Sequence, residues 1–92
     1  MNYKINKIRK KLDILDNKLL DLVKKRTSLV NEILKQKKFK NQIIDKERIK
    51  KILSKIRKKS QKKKIDTKIS NKIWKSMIYA FIDYEYRNFK KK

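Results

Sequence analysis

From Ile5 to Lys38 the sequence holds nothing that would stop a helix, and this stretch limits what the rest of the chain can fold into. Its apolar residues Ile5, Ile8, Leu12, Leu15, Leu19, Leu22, Leu29 and Ile33 step by three and four, the spacing that lines up one face of an α-helix. Between Leu22 and Leu29 the same steps pass through Arg26, and beyond Ile33 they land on Lys37. Two cations therefore occupy places where the pattern asks for core residues. At about 1.5 Å per residue such a helix runs roughly 50 Å. A compact globule of this chain length has a radius of gyration of only about 12 Å. A helix that long cannot be wrapped by its own chain, so a partner chain is expected.

The remaining segments read as material packed against this helix. The chain has no Gly and no Pro, so it lacks the usual helix breakers and hairpin turns, and an all-α fold follows. Residues 1–92 make a single domain whose core is small enough that oligomerisation would help stabilise it. The polar stretch Lys38 to Ile44 has no regular period and reads as a loop. Asp45 is placed to cap a second helix with Ile49, Ile52, Leu53 and Ile56 on its apolar face, ending near Ser60 as the pattern fades into Lys58 to Lys64. Asp66 or Thr67 can cap a third, through Ile69, Ile73, Trp74, Met77, Ile78, Phe81, Ile82 and Tyr84, with Tyr79, Tyr86 and Phe89 adding to its aromatic character. Glu85, four residues after Phe81, continues that inward line and carries a carboxylate onto it.

Several function classes are excluded. Without Cys there are no disulfides or thiolate metal sites, and without His a zinc site or a His-based triad is also out. No cofactor is called for. No apolar run approaches the roughly 18 residues of a membrane span, and Met1-Asn2-Tyr3-Lys4 lacks a signal h-region, so a cytoplasmic protein is expected. The net charge of +22 raises the question of nucleic acid. Lysines occur in every segment, however, and the runs Lys62 to Lys64 and Lys90 to Lys92 fall at a loop and a terminus. Solvated helix faces account for them better than a nucleic-acid interface does. The positive field would still attract an anionic ligand.

Arg26, Lys37 and Glu85 are ionisable groups on apolar stripes, and each needs a counter-charge, a route to solvent or a ligand. Arg26 and Lys37, eleven residues apart, differ by about 20° of rotation and roughly 16 Å of rise, so their long side chains could converge on one small anion. Arg26 reads equally well as an ion-pair partner of Glu32 or Glu85. Arg9 lies seventeen residues before Arg26, roughly 25 Å along the axis, too far to hold the same ligand within one chain. By spacing alone it pairs with Asp13 on the surface. If it belongs to the same site, it comes from a second copy.

The run Ile8-Arg9-Lys10-Lys11-Leu12-Asp13-Ile14-Leu15-Asp16, followed by Leu19-Leu20-Asp21-Leu22-Val23-Lys24-Lys25-Arg26, resembles the opening helix of the all-helical chorismate mutases. The likeness continues through Lys37 and Asp45-Lys46-Glu47-Arg48 to the last helix, over nearly the whole chain. It implies an intertwined homodimer, three helices per chain forming a six-helix bundle with two active sites, each using an arginine from the partner's long helix. Carried onto this sequence, Arg26 and the partner's Arg9 would bind the substrate carboxylates, for which planar guanidinium forks are suited. Lys37 would donate to the ether oxygen of chorismate, Arg48 would sit at the edge near a carboxylate, and Asp45 would lie near the substrate hydroxyl. Three positions depart from the family pattern: Ile49 replaces a usual Glu, Phe81 falls where Ser is common, and Glu85 falls where Gln is common.

The implied reaction is the intramolecular [3,3] rearrangement of chorismate to prephenate, a step of the shikimate pathway to aromatic amino acids. It requires no nucleophile, metal or proton relay. It is helped by clamping the dianion in its reactive conformer and by donors aimed at the ether oxygen as charge develops, Lys37 being one and protonated Glu85 another. Two alternatives remain on the same scaffold: isochorismate pyruvate lyase, and a non-catalytic basic helical protein that binds nucleic acid or acts as a scaffold. The chain has no room for a fused regulatory domain, so control is expected from a separate protein, such as another aromatic-pathway enzyme docking on it.

Overall fold

The computed structural model describes residues 2–90 and is all-helical, with no strand among the described residues. Helix α1 spans Tyr3–Gln36, a short 3₁₀ turn spans Lys40–Gln42, α2 spans Lys46–Lys62 and α3 spans Thr67–Asn88. No described helix is long and apolar enough to cross a membrane. Lys91 and Lys92 of the terminal lysine run lie outside the described residues.

Side-chain oxygens cap all three helices at their N-termini. The amides of Lys4 and Ile5 donate to Asn2 Oδ1 at 3.0 and 3.3 Å, which starts α1 two residues ahead of the expected Ile5. The Arg48 amide donates to Asp45 Oδ1 at 3.0 Å, and the amides of Lys68 and Ile69 donate to Asp66 Oδ1 at 2.8 and 3.4 Å. Of the two candidates for the third cap, Asp66 is the one used.

The end of α1 corrects the sequence expectation. The helix stops at Gln36, and Lys37 is its C-cap in extended backbone, φ −81° and ψ 128°, with its amide donating to Leu34 O at 3.1 Å. Two gains outweigh another half-turn of helix. Gln42 Oε1 accepts from the amides of Lys38 at 2.7 Å and Phe39 at 2.9 Å, so these donors are satisfied off the helical ladder. The chain then folds back far enough to bury Ile43, only 3% exposed.

α2 also runs past its expected end, to Lys62. Its C-terminus closes with a paired hydrogen-bond motif: the Ile65 amide donates to Ser60 O at 2.8 Å and the Lys64 amide to Gln61 O at 3.2 Å. That closure requires a left-handed residue, and Lys64 supplies it at φ 58°. Just inside the turn, Ser60 and Ser70 are both buried and their hydroxyls lie 2.8 Å apart, so α2 and α3 approach closely where small side chains meet.

α3 packs against α2 and against the C-terminal part of α1, tied to the latter by Tyr84 Oη donating to Asn31 Oδ1 at 2.9 Å. Among the described residues only Leu34, Ile43 and Ile78 form a buried apolar core. The eight apolar residues of the α1 stripe are each 45–60% exposed. The protomer is accordingly elongated, with a radius of gyration of 16.8 Å and extents of 56 × 26 × 17 Å.

Because a side chain with a Cβ is disfavoured at positive φ by roughly 1 kcal/mol, Lys64→Gly is expected to stabilise the protein by up to about 1 kcal/mol. Denaturant unfolding of the two proteins measures this, and a destabilised variant would contradict the strain assigned to Lys64.

Candidate active site

Where the last turns of α1, the start of α2 and the C-terminal half of α3 converge, they leave a cleft of about 460 Å³. That lies within the range of roughly 300–1,000 Å³ usual for small-molecule sites. Arg26, Lys37, Asp45, Arg48, Phe81 and Glu85 all line it, together with apolar walls that include Ile33, Ile49, Ile52, Ile78 and Ile82. Six of the seven site residues expected from the sequence are thus brought together. Arg9 is not among them: it is exposed near the other end of α1, about 25 Å along the axis from Arg26.

The deepest polar contact joins the ends of two helices. Lys37 Nζ donates to Glu85 Oε1 at 2.9 Å, with Glu85 buried and Lys37 mostly so. The extended backbone at Lys37 leaves it off the α1 stripe, yet its ammonium still reaches the inward face of α3. Glu85 is therefore engaged by Lys37 and not by Arg26.

Arg26 has neither of the ion-pair partners considered for it, Glu32 or Glu85. Its guanidinium lies over the Phe81 ring, Cζ 5.6 Å from the centroid, and Phe81 in turn packs edge-to-face on Tyr84 at 6.5 Å and 78°. The Nε atom of Arg26 is buried with no hydrogen-bond partner. A buried N–H of a charged group left in this way is unfavourable unless an acceptor arrives. Phe81, where the family commonly has Ser, here serves as the surface on which that arginine rests.

At the rim, one oxygen of Asp45 is occupied in capping α2, and Arg48 is exposed and in no ion pair among the described residues. Arg9 likewise forms no ion pair with Asp13. With Lys37 and Glu85 neutralising each other, Arg26 and Arg48 outnumber the one remaining carboxylate, Asp45, and leave net positive charge around an apolar cleft. Such an arrangement can hold a small anion by its charged groups while keeping its carbon skeleton dry.

Three lining residues escaped the sequence reading: Val30, which lies beside the α1 stripe, and two in the connection after it. Ile43 and Gln42 both sit in a stretch without period, and nothing local marks one as buried and the other as the brace of the turn. Only the short distance from the end of α1 to the Asp45 cap hints that the segment must fold tightly.

A family model described as chorismate mutase type II matches residues 8–86. Comparisons with curated proteins and with solved structures return no match. The matched region takes in the whole cleft and most of α1, and on that match this chain belongs to the type II chorismate mutase family.

Proposed function

We propose that residues 1–92 form one domain of an intertwined homodimer that rearranges chorismate to prephenate, each cleft being completed by Arg9 of the other protomer. The observation that carries this reading is Arg26, whose buried Nε has no partner in a cleft that also holds Lys37 and Arg48.

The apolar stripe of α1 supports the dimer. Burial of a Leu or Ile side chain is worth about 1.5–3 kcal/mol, and eight of them stand half-exposed on one face. A second α1 laid antiparallel across that face covers both stripes at once, in the self-complementary manner of a two-fold interface. In such a pair a two-fold axis passing near Asn17 and Lys18, close to the middle of α1, sets position 9 of one helix beside position 26 of the other. The distance that separates Arg9 from Arg26 in one chain is what brings them together between two.

In this site the two arginines grip the substrate carboxylates and Arg48 adds charge at the rim. Lys37 donates to the ether oxygen as the C–O bond breaks and negative charge grows there, while the new C–C bond forms within the same molecule. Glu85, which accepts from Lys37 at 2.9 Å, fixes where that donor stands. Asp45 stands nearest the ring hydroxyl, because Ile49 offers only an apolar wall at that side. Clamping removes the freedom of the side arm that solution leaves unrestrained. The retention of Asp45 and Arg48 at the cleft favours chorismate over isochorismate.

Purified protein supplied with each substrate should consume chorismate and release prephenate. Arg26→Ala and Lys37→Ala should each lower kcat/KM by at least about a hundredfold, the loss typical of a preorganised charge donor, and near-normal turnover in either would refute the clamp. Mixing unfolded Arg9→Ala and Arg26→Ala chains and refolding them together should restore about a quarter of wild-type activity, since half the dimers are mixed and one of their two sites is intact. No recovery above the separate variants would place Arg9 outside the site. Glu85→Leu, which leaves Lys37 without its partner, should lower turnover sharply, and near-normal turnover in that variant would take Glu85 out of the site.

A further inference from the structure

A second groove, of about 490 Å³, opens between the C-terminal half of α2 and the N-terminal half of α3. It shares no residue with the active cleft. Arg57 stands on its α2 wall, and Lys68 and Lys75 stand on its α3 wall; Ser54 and Asn71 add neutral hydrogen-bonding groups. No carboxylate lines the groove, and none of the three cations is in an ion pair among the described residues.

This clustering is unfavourable on its own. The buried Ser60–Ser70 contact draws α2 and α3 close together beside the groove, whose one wall carries Arg57 and whose other carries Lys68 and Lys75. Like charges repel, so three cations lining one groove with no carboxylate among them disfavour one another. No apolar packing demands a charge at these three exposed positions. An anion in the groove would turn the mutual repulsion into three attractions. The N-terminus of α3 adds little, because Asp66 already accepts from the Lys68 and Ile69 amides.

The groove also lies clear of the surface that needs covering. On the N-terminal half of α3, which lines the groove, the exposed apolar residues are Ile69 and Ile73, with Tyr79 and Tyr86 exposed farther along. At about 100° per residue, Lys75 stands about 160° around the helix from Ile73, and Lys68 about 100° from Ile69. A second copy seated on the apolar flank would leave the groove open to solvent.

We infer that the groove between α2 and α3 is a second anion-binding site, which takes a compact phosphoryl-bearing polyanion between Arg57, Lys68 and Lys75. The guanidinium fork suits paired phosphoryl oxygens and the two ammonium groups act as point charges beside it. The hydroxyl of Ser54 and the amide of Asn71 can donate to the remaining oxygens. This inference does not rest on the reaction assigned to the active cleft.

Calorimetric titration of the 92-residue protein with pyrophosphate, at about 0.15 M salt so that exposed charges are screened, tests it. One saturable site per protomer is expected, weakened at least tenfold by Arg57→Gln and by Lys75→Gln, and unaffected by Lys10→Gln, which removes the same charge from a remote face of α1. Arg26→Ala should leave it intact, and Arg57→Gln should leave turnover of chorismate without pyrophosphate unchanged. Circular dichroism confirms that each exposed substitution keeps the helices, and Lys68→Gln provides a third variant. Absence of saturable binding overturns the proposal, as does equal weakening by Lys10→Gln, which would mean only a diffuse positive field. Loss of binding in Arg26→Ala overturns it too, by locating the anion in the active cleft, and tighter binding of citrate than of pyrophosphate overturns the phosphoryl assignment.

Discussion

The length of α1 is the constraint from which the rest of this molecule follows. A helix of 34 residues extends well beyond the two shorter helices that can pack on it, and only its C-terminal part meets α3. The chain spends its remaining residues on one end of α1 and builds a cleft there, while the other end keeps a row of Ile and Leu half in water. Among the described residues, three buried apolar side chains are a thin core against the conformational entropy of ordering almost ninety. The proposed dimer resolves both facts with one contact, since the face that needs burial is also the face that carries Arg9 toward a second site.

The cleft shows a comparable economy. It has two ionisable groups that satisfy each other, Lys37 and Glu85, one carboxylate, Asp45, that caps α2, and two cations, Arg26 and Arg48, in no ion pair among the described residues. An arginine held against Phe81 with a buried, unpartnered Nε is a poor choice for stability and a good one for capturing a carboxylate. Phe81 matters because the ring fixes where the guanidinium lies without offering it an acceptor. A residue that could hydrogen-bond to Arg26 would compete with a ligand; an aromatic face supports it and leaves its donors open.

Much of this was legible from residue order. The apolar stripe of α1, the Asp45 cap, the inward carboxylate at Glu85 and the oddly placed Arg26 are local patterns, set by helical period and by the chemistry of the first turn, and the structure places them accordingly. What could not be read was decided at a distance. Helix α1 ends at Gln36 because Gln42, Ile43 and Glu85 draw the chain elsewhere, and no residue near Lys37 is a helix breaker. The fading of α2 into lysines concealed that Ser60 is buried against Ser70 across the turn. Periodicity alone offers Arg26 a carboxylate or a ligand and cannot reveal that an aromatic ring from α3 meets it. Arg9 remains outside the cleft of its own chain, as its spacing required.

The extended backbone at Lys37 gives the two cations of α1 unlike mechanical characters. Arg26 is rooted in the middle of a hydrogen-bonded ladder, so its Cα shifts only if the whole rod does. Lys37 hangs from the first residue beyond that ladder, tethered by the Gln42 brace on one side and by its ion pair with α3 on the other. One is an anvil and the other a hinged arm, and opening the short connection after α1 would withdraw the ammonium while leaving the guanidinium where it stands.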